Sequence, residues 1–248
     1  MTAPVFLAEE GALDGARAVL RGPEGRHAAT VRRISAGETV HLVDGAGTRA
    51  RCTVAEVGKD TVVCEVLERG TDPEPAPRIT VVQALPKGDR GELAVEVMTE
   101  AGVDRIVPWA AERCVTRWKP ERAEKALAKW RAAAREAAKQ SRRSRVPEVT
   151  APAGTARVAE LLGEAALGAV LHEEAAERLS ALPLPDRLAG PGGEAVLVVG
   201  PEGGVSPAEL SAFDAAGAVR VLLGPTVLRT STAGVAALSV LQARCGRW

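Results

Sequence analysis

The chain has 248 residues, and its 32 Lys and Arg balance its 32 Asp and Glu, so the formal net charge is zero. Hydrophobic residues make up 46% and charged residues 26%, which is typical of a globular protein and excludes a disordered, collagenous or coiled-coil chain. This length suits one large domain or two modest ones with a sizeable core. A zero net charge argues against a nucleic-acid partner only if the charge is spread evenly along the chain.

The four Cys contain no C-x-x-C pair, and three His form no zinc-ligand pattern. The first 15 residues lack the basic and apolar regions of a signal peptide. No apolar run approaches the roughly 20 residues that span a membrane. We therefore expect a cytoplasmic protein with free thiols rather than disulfides, no bound metal and no membrane partner.

The first part of the chain reads as a small β-barrel or sandwich, with a short helix over 25–34 that ends at Gly37. Three β-branched runs predict its strands, at 38–45, 51–57 and 61–67. Residues 71–78 hold three Pro and form a stiff linker, the best domain boundary in the chain. The predicted domains are 1–72 and 73–248.

Beyond the linker, apolar strands alternate with helices, which predicts a parallel sheet covered by helices. The predicted strands are 79–85, 104–109, 166–172, 194–200 and 218–224. The predicted helices run from Arg90 to Ala101, from Pro120, from Ser206 to Gly217, and from Thr232 to Ala243. Capping boxes are expected at Asp89 with Glu92 and at Ser206 with Glu209.

The charge is not spread evenly. Residues 113–145 hold twelve basic and three acidic side chains, a balance of +9, so the rest of the chain carries −9. Such a cationic segment can steer and hold a phosphate backbone, although a solvated helix face would show the same charges. With no Tyr and only two Phe, an aromatic base-stacking platform is not expected.

Three Gly- and Pro-bearing motifs follow predicted strands, where the loops of a parallel sheet shape ligand pockets. They are LPKGDR at 85–90, GPEGG at 200–204 and LGPTVLRTSTA at 223–233. His172 also ends a predicted strand. Neither G-x-G-x-x-G nor a P-loop lysine is present, and no Ser-His-Asp set or metal cluster is visible. By spacing alone, each motif is also compatible with an ordinary glycine turn.

Taken together, these motifs resemble the ribosomal RNA small subunit methyltransferase E family of the knotted SPOUT methyltransferases. The resemblance covers nearly the whole chain, in the order LPKGDR, AGVDRIVPW with ERCV, QSRRSRVP, VGPEGGVSPAEL and LGPTVLRTSTA. It implies an N-terminal PUA-like barrel and a C-terminal α/β domain with a mainly parallel sheet and a deep trefoil knot. It also implies methylation of N3 of a uridine in 16S rRNA by a homodimer that uses S-adenosylmethionine.

The resemblance, the chemistry of the reaction and the charge pattern together indicate the functional residues. On chemical grounds Arg229 would be catalytic and would stabilise the imide anion of the uridine, a role that backbone N–H groups of the GPEGG loop could also fill. Cofactor binding would fall to Leu171, His172, Gly200, Pro201, Glu202, Gly203, Leu223, Gly224, Leu228, Thr230 and Thr232. RNA binding would fall to Arg32, Arg33, Lys87, Arg90, Arg113, Arg142, Arg143 and Arg145.

One position departs from the family pattern: Ser231 stands where the family usually has Glu. Serine cannot act as a carboxylate, so we name no general base. Three alternatives stay open, namely a knotted methyltransferase for another RNA position, a non-catalytic RNA-binding assembly factor, and a nucleotide-binding α/β protein. The absent nucleotide motifs argue against the last.

Overall fold

A computed structural model describes residues 3–9 and 11–248. Its contacts divide the chain into two compact units. The first comprises Met1–Glu74 and Ala138–Val146, and the second comprises Pro75–Ala137 and Pro147–Trp248. The first unit therefore includes a short segment that lies far along the sequence, at the end of the cationic stretch.

The first unit is built on a five-stranded sheet of order β1-β3-β4-β5-β2. Its strands are β1 (Val5–Leu7), β2 (Arg17–Leu20), β3 (Thr39–Val43), β4 (Thr48–Val57) and β5 (Val62–Thr71). Pairing is antiparallel except between β1 and β3. Two register shifts between β4 and β5 act as bulges, which bend a strand and increase its twist. The three predicted strands are confirmed as β3, β4 and β5. Strands β1 and β2 are too short to show a periodic pattern.

The predicted helix over 25–34 is wrong at both ends. Helix α1 covers Gly22–Arg26 and continues as a π-helical turn over His27–Val31. The helical path stops at Arg33, whose φ of 51° is left-handed, and so before Gly37. Apolar side chains such as Phe6, Leu20 and Leu42 fill the core of this unit.

Buried polar contacts attach residues 138–146 to the first unit. The Lys139 ammonium lies 2.6 Å from a carboxylate oxygen of Glu24, and both side chains are largely buried. The Ser144 hydroxyl donates a 2.6 Å hydrogen bond to Asp72. These bonds explain why this segment packs with residues so distant in sequence.

The second unit holds a six-stranded sheet of order β11-β9-β10-β6-β7-β8, in which every pairing is parallel. The strands are β6 (Arg78–Ala84), β7 (Arg105–Trp109), β8 (Glu148–Val149), β9 (Leu167–Leu171), β10 (Glu194–Val199) and β11 (Val219–Val221). The predicted parallel α/β sheet is confirmed. Strand order and register do not specify how the chain threads through its own loops, so the trefoil knot stays a prediction.

Five helices are interspersed among these strands in the sequence: α2 (Arg90–Glu100), α3 (Pro120–Gln140), α4 (Thr155–Glu164), α5 (Pro207–Ala215) and α6 (Thr230–Arg244). Helix α2 packs against α6, and α4 packs against α5. Helix α4 was not predicted. Because all six strands are parallel, their carboxyl ends meet at one edge of the sheet, where β6, β9, β10 and β11 present their following loops.

Two predicted helix starts need correction. The Asp89–Glu92 capping box is wrong: Asp89 has φ −84° and ψ 4° and makes no side-chain cap bond. An N-cap side chain reaches the first turn from an extended backbone, which Asp89 does not adopt. Helix α6 begins at Thr230 rather than Thr232, with Arg229 as its N-cap.

Candidate active site

The ends of β9, β10 and β11 and the first turn of α6 surround a cavity of about 390 Å³. Cavities that hold small ligands measure roughly 300–1,000 Å³. The side chains of Val199, Val205, Val221 and Leu222 contribute to its lining together with loop backbone. The cavity therefore suits a ligand with a sizeable apolar portion.

The cavity brings together most of the residues assigned to the cofactor. These are Leu171, His172, Gly200, Pro201, Glu202, Leu223, Gly224, Leu228 and Thr230. Arg229, the predicted catalytic residue, and Arg90, a predicted RNA-binding residue, also line it. Gly203 and Thr232 do not line it. The structure shows that these residues lie around one cavity, and the role of each residue stays a prediction.

Close packing explains the glycines of the GPEGG loop. A Cβ on Gly200 would lie 2.9 Å from Cγ2 of Val205, and one on Gly203 would lie 3.0 Å from the main-chain oxygen of Arg113. Gly204 has φ 73°, a conformation that L side chains rarely adopt. Gly203 thus packs against the loop after β7, and Gly200 packs against Val205 at the cavity wall.

This loop is bonded to the loops that follow β6 and β7. The N–H of Lys87 donates a 3.2 Å hydrogen bond to Oε1 of Glu202, and the Arg113 guanidinium donates one of 3.4 Å to the carbonyl of Gly203. Two predicted RNA-binding residues, Lys87 and Arg113, therefore lie directly beside the GPEGG loop.

A buried carboxylate, Glu209, organises the same region. The predicted capping box forms, because the Glu209 N–H donates to Ser206 Oγ and the Ser206 N–H donates to Glu209 Oε2. Its other oxygen accepts hydrogen bonds from the N–H of Glu112 at 2.8 Å and the hydroxyl of Thr155 at 3.1 Å. The sequence revealed the box but not these two further contacts, which join segments distant in the chain.

The loop after β11 leaves open space at Gly224. A Cβ added there would meet no protein atom within 4 Å, so the space beside this lining residue is available to a ligand. Arg229 is exposed at the start of α6, where the helix dipole adds partial positive charge. The Thr232 hydroxyl donates to the carbonyl of Arg229 and makes no N-cap bond.

His172 fixes the loop after β9. Its N–H donates to the carbonyl of Val221 at 3.0 Å, and its Nδ1 accepts from the N–H of Glu174 at 3.2 Å. An accepting Nδ1 places the proton of the neutral ring on Nε2. Glu173, the next residue, also lines the cavity and was not among the assigned cofactor residues.

Cys114 lies buried in the loop after β7, with its Sγ 3.8 Å from the carbonyl of Trp109. Burial raises the pKa of this thiol, an effect that hydrogen bonds from Ala111 and Leu85 only partly oppose. A protonated thiol is a weak nucleophile, so covalent chemistry through Cys114 is disfavoured.

The remaining RNA-binding candidates belong to the first compact unit. They are Arg32, Arg33, Arg142, Arg143 and Arg145. Arg33 and Arg142 have left-handed backbones, with φ 51° and 58°. The guanidinium of Arg145 donates hydrogen bonds to the carbonyls of Ala46 and Asp72 and packs against Gly47. Arg145 therefore has a structural role whatever it does for RNA.

Across residues 3–9 and 11–248, no three His, Cys, Asp or Glu side chains are grouped to hold a metal ion. No helix in that part of the chain is long and apolar enough to cross a bilayer.

Comparison with known proteins matches both units to known families. Residues 72–242 match the RNA methyltransferase domain, and residues 20–67 match the RNA methyltransferase PUA domain. The PUA-like prediction for the N-terminal part of the chain is thereby confirmed.

Named relatives agree with these matches. The ribosomal RNA small subunit methyltransferase E of Mycobacterium tuberculosis is 48% identical, over 100% of this chain and 94% of the relative. The Neisseria gonorrhoeae enzyme of that name, solved with S-adenosyl methionine, superposes with a TM-score of 0.86 at 29% identity, over 98% of both chains. A Legionella pneumophila methyltransferase in complex with the same cofactor gives 0.87 at 28%, also over 98% of both. The chain therefore belongs to the ribosomal RNA small subunit methyltransferase E family.

Proposed function

We propose that this protein transfers a methyl group from S-adenosylmethionine to N3 of a uridine in the 16S rRNA of the small ribosomal subunit. The observation that carries this proposal is the convergence of the GPEGG and LGPTVLRTSTA loops on one cavity that also holds Arg229. Relatives of the chain are named for methylation of small-subunit rRNA, and two related structures contain the cofactor.

The cavity fits this cofactor. The open space at Gly224 and the apolar side chains suit an adenosine, and loop backbone near Gly200 offers donors and acceptors for its polar groups. When bound, the cofactor supplies a methyl group on an electron-poor sulfonium. The chain itself holds that group in place and excludes water, and positioning alone can account for much of such a rate enhancement.

Arg229 would act on the target base. Uridine N3 carries a proton, and its loss to solvent before methyl transfer leaves an imide anion that needs a positive partner. The Arg229 guanidinium and the positive end of α6 supply one at the cavity wall, and Arg90 adds a second lining cation. Ser231 is buried at 3% exposure and carries no carboxylate, so it cannot take the role that a Glu would have at this position.

The RNA would be held by the first unit and the cationic segment 113–145. A PUA domain match and the +9 balance of that segment support this part of the proposal. We further propose that the protein works as a homodimer in the cytoplasm, where ribosomal subunits are modified.

The test measures tritiated methyl transfer from S-adenosylmethionine to small subunits that lack the modification, followed by mass analysis of the labelled nucleoside. We expect 3-methyluridine from the wild type and roughly a 100-fold loss of rate in Arg229→Ala, the size found when one such electrostatic donor is removed. Arg157→Ala, which removes an exposed cation on α4, should retain full activity. Label on a ribose oxygen or on guanine would instead favour a different RNA position.

A second candidate, a non-catalytic RNA-binding assembly factor, is favoured only by Ser231. Calorimetric titration with S-adenosylmethionine separates the two, because a decayed cofactor site binds nothing. Saturable binding that the Gly224→Leu substitution removes would support the enzyme.

A further inference from the structure

A second cavity, of about 480 Å³, lies between the β6–α2 loop and helix α3 in the second unit. We propose that it binds one nucleotide of the RNA substrate, with the base stacked on Trp118 and the phosphate held by cations of α3. The inference rests on the proposed function, since it assigns a nucleotide subsite beside the methylation site. It concerns different residues from those of the first cavity.

The aromatic part of this cavity is fixed in place. Trp118 and Trp130 meet edge to face, with ring centroids 5.3 Å apart and an interplanar angle of 86°. Trp130 is 3% exposed, and its Nε1 lies so near Gly91 that a Cβ there would be 2.7 Å away. Trp118 is only half-buried and lines the cavity. A held aromatic ring binds a base with little loss of side-chain entropy.

The polar part is cationic. Arg122, Lys125 and Lys129 recur at three- and four-residue spacing, so they share one face of α3, and all three line the cavity and are exposed. Glu92 is the acidic lining residue, 3.9 Å from the Lys129 ammonium. Three cations against one carboxylate favour a phosphodiester over a neutral or acidic partner.

The second cavity lies close to the first, so we expect its ligand to be a nucleotide near the target uridine. Pro86 and Gly88 line the second cavity, whereas Arg90 lines the first. Two residues of backbone span at most about 7 Å, so the two cavities border the same short loop. A base on Trp118 would therefore belong to a nucleotide close in sequence to the one methylated.

Aromatic side chains beside cations are the usual means of binding single-stranded RNA without sequence readout. The aromatic content of the chain is low, but two of its four Trp are concentrated here. If the proposal holds, one stacked base would add to the phosphate contacts that the charge pattern of the chain predicts.

The test uses the full chain and fluorescence anisotropy of a labelled, short single-stranded oligoribonucleotide spanning the target uridine. Trp118→Ala should raise its Kd roughly five- to hundred-fold, the range for losing one stacked base, and Trp118→Phe should restore most of the affinity. The double variant Arg122→Glu, Lys125→Glu should also weaken binding and reduce the dependence of affinity on salt, whereas Trp118→Ala should leave that dependence unchanged.

Trp248→Ala and Arg157→Glu are the matched controls, because both side chains are exposed and line neither cavity. They should bind the oligoribonucleotide like the wild type. Thermal melting checks that Trp118→Ala remains folded. If that variant does not fold, the surface charge variant Arg122→Glu, Lys125→Glu still tests the cavity. Cofactor affinity should be unchanged in every variant.

Unchanged RNA affinity in both Trp118→Ala and the charge variant would overturn the subsite and leave the methyltransferase proposal standing. Loss of self-association in these variants, measured by sedimentation, with RNA affinity intact would show a protein contact instead and would also overturn it. Failure of the proposed function has a separate signature, namely no methyl transfer and no cofactor binding by the wild type.

Discussion

The buried side-chain amide of Gln83 donates a 3.2 Å hydrogen bond to the main-chain carbonyl of Thr230, joining the end of β6 to the first turn of α6. The same nitrogen donates to the carbonyl of Ala84. Its amide oxygen has no hydrogen-bond partner within the described residues, and a Cβ on Gly234 would lie 3.3 Å from it. Since Thr230 lines the candidate active site, Gln83 sets where α6 begins relative to the sheet.

Replacing this amide should weaken cofactor binding without contact with the cofactor. Gln83→Met keeps the volume but removes the bond, so we expect a loss of about 1–2 kcal/mol of stability and several-fold weaker binding of S-adenosylmethionine. Gln242→Met is the control, because Gln242 also donates to a buried carbonyl, that of Ala101, at the other end of α6. Denaturation and calorimetry should show a similar loss of stability in both variants and weaker binding only in Gln83→Met.

Filling the space at Gly224 should block the cofactor directly. Gly224→Leu places a side chain where no protein atom lies within 4 Å of the Cβ, so the fold should tolerate it while binding of S-adenosylmethionine is lost. Gly154 has the same open surroundings outside the cavity. Gly154→Leu should bind the cofactor normally, with at most about 1 kcal/mol of destabilisation at the start of α4. Normal binding by Gly224→Leu would place the cofactor elsewhere.

Replacing Glu209 should lower stability strongly, because its carboxylate is buried and accepts several hydrogen bonds. Glu209→Gln replaces one accepting oxygen with an NH2 donor. That donor would face either the N–H of Ser206, or the N–H of Glu112 and the hydroxyl of Thr155. We expect a loss of about 2–3 kcal/mol in urea denaturation, because buried donors lose a charged acceptor. Glu160→Gln, on the exposed face of α4, should change stability by less than about 0.5 kcal/mol.

We expect Arg142 to lower the stability of the protein while its positive charge contributes to RNA binding. Helix α3 ends in a Schellman motif, in which the N–H of Arg143 donates to the carbonyl of Ala138 and that of Arg142 to Lys139. Glycine is the usual residue at the left-handed position, where Arg142 has φ 58°. Arg142→Gly should therefore stabilise the protein by about 1 kcal/mol, whereas Arg142→Ala should not. Both remove the cation, so equal losses of RNA affinity in the two variants would trace the RNA contact to charge.

The thiols of the first unit should make stability sensitive to alkaline pH. Burial raises the pKa of Cys52 to about 11 and that of Cys64 to about 12, from an ordinary 9.0. The unfolded chain releases these protons first, so the contribution is fully present below about pH 9 and is lost as pH rises through the folded values. The chain has no Tyr to titrate in this range. Melting temperatures should fall less between pH 8 and about 10.5 in the Cys52→Ala, Cys64→Ala double variant than in the wild type.

The local parts of the fold were predictable from local signals. The Ser206–Glu209 box, the parallel sheet and the glycine loops after β6, β10 and β11 follow from residue type and spacing. Two hydrogen bonds, from the Gln83 amide to the Thr230 carbonyl and from the Glu112 N–H to the Glu209 carboxylate, join segments far apart in sequence. No periodicity in the sequence reveals such contacts. The pairing of Trp118 with Trp130 could not be predicted either, because a chain-wide aromatic count carries no information about clustering.

The segment 138–146 gives the first unit an unusual dependence on timing during synthesis. The Val146 N–H donates to the carbonyl of Gly45, and the Gly47 N–H donates to that of Ser144, so this segment completes a turn that leaves the ribosome much earlier. The N-terminal sheet can therefore collapse early, but it acquires its last hydrogen bonds only after residues 75–137 have been translated. An N-terminal fragment that stops at the proline-rich linker would lack the residues that make these hydrogen bonds. A PUA domain produced in isolation would therefore need residues 138–146 to be supplied.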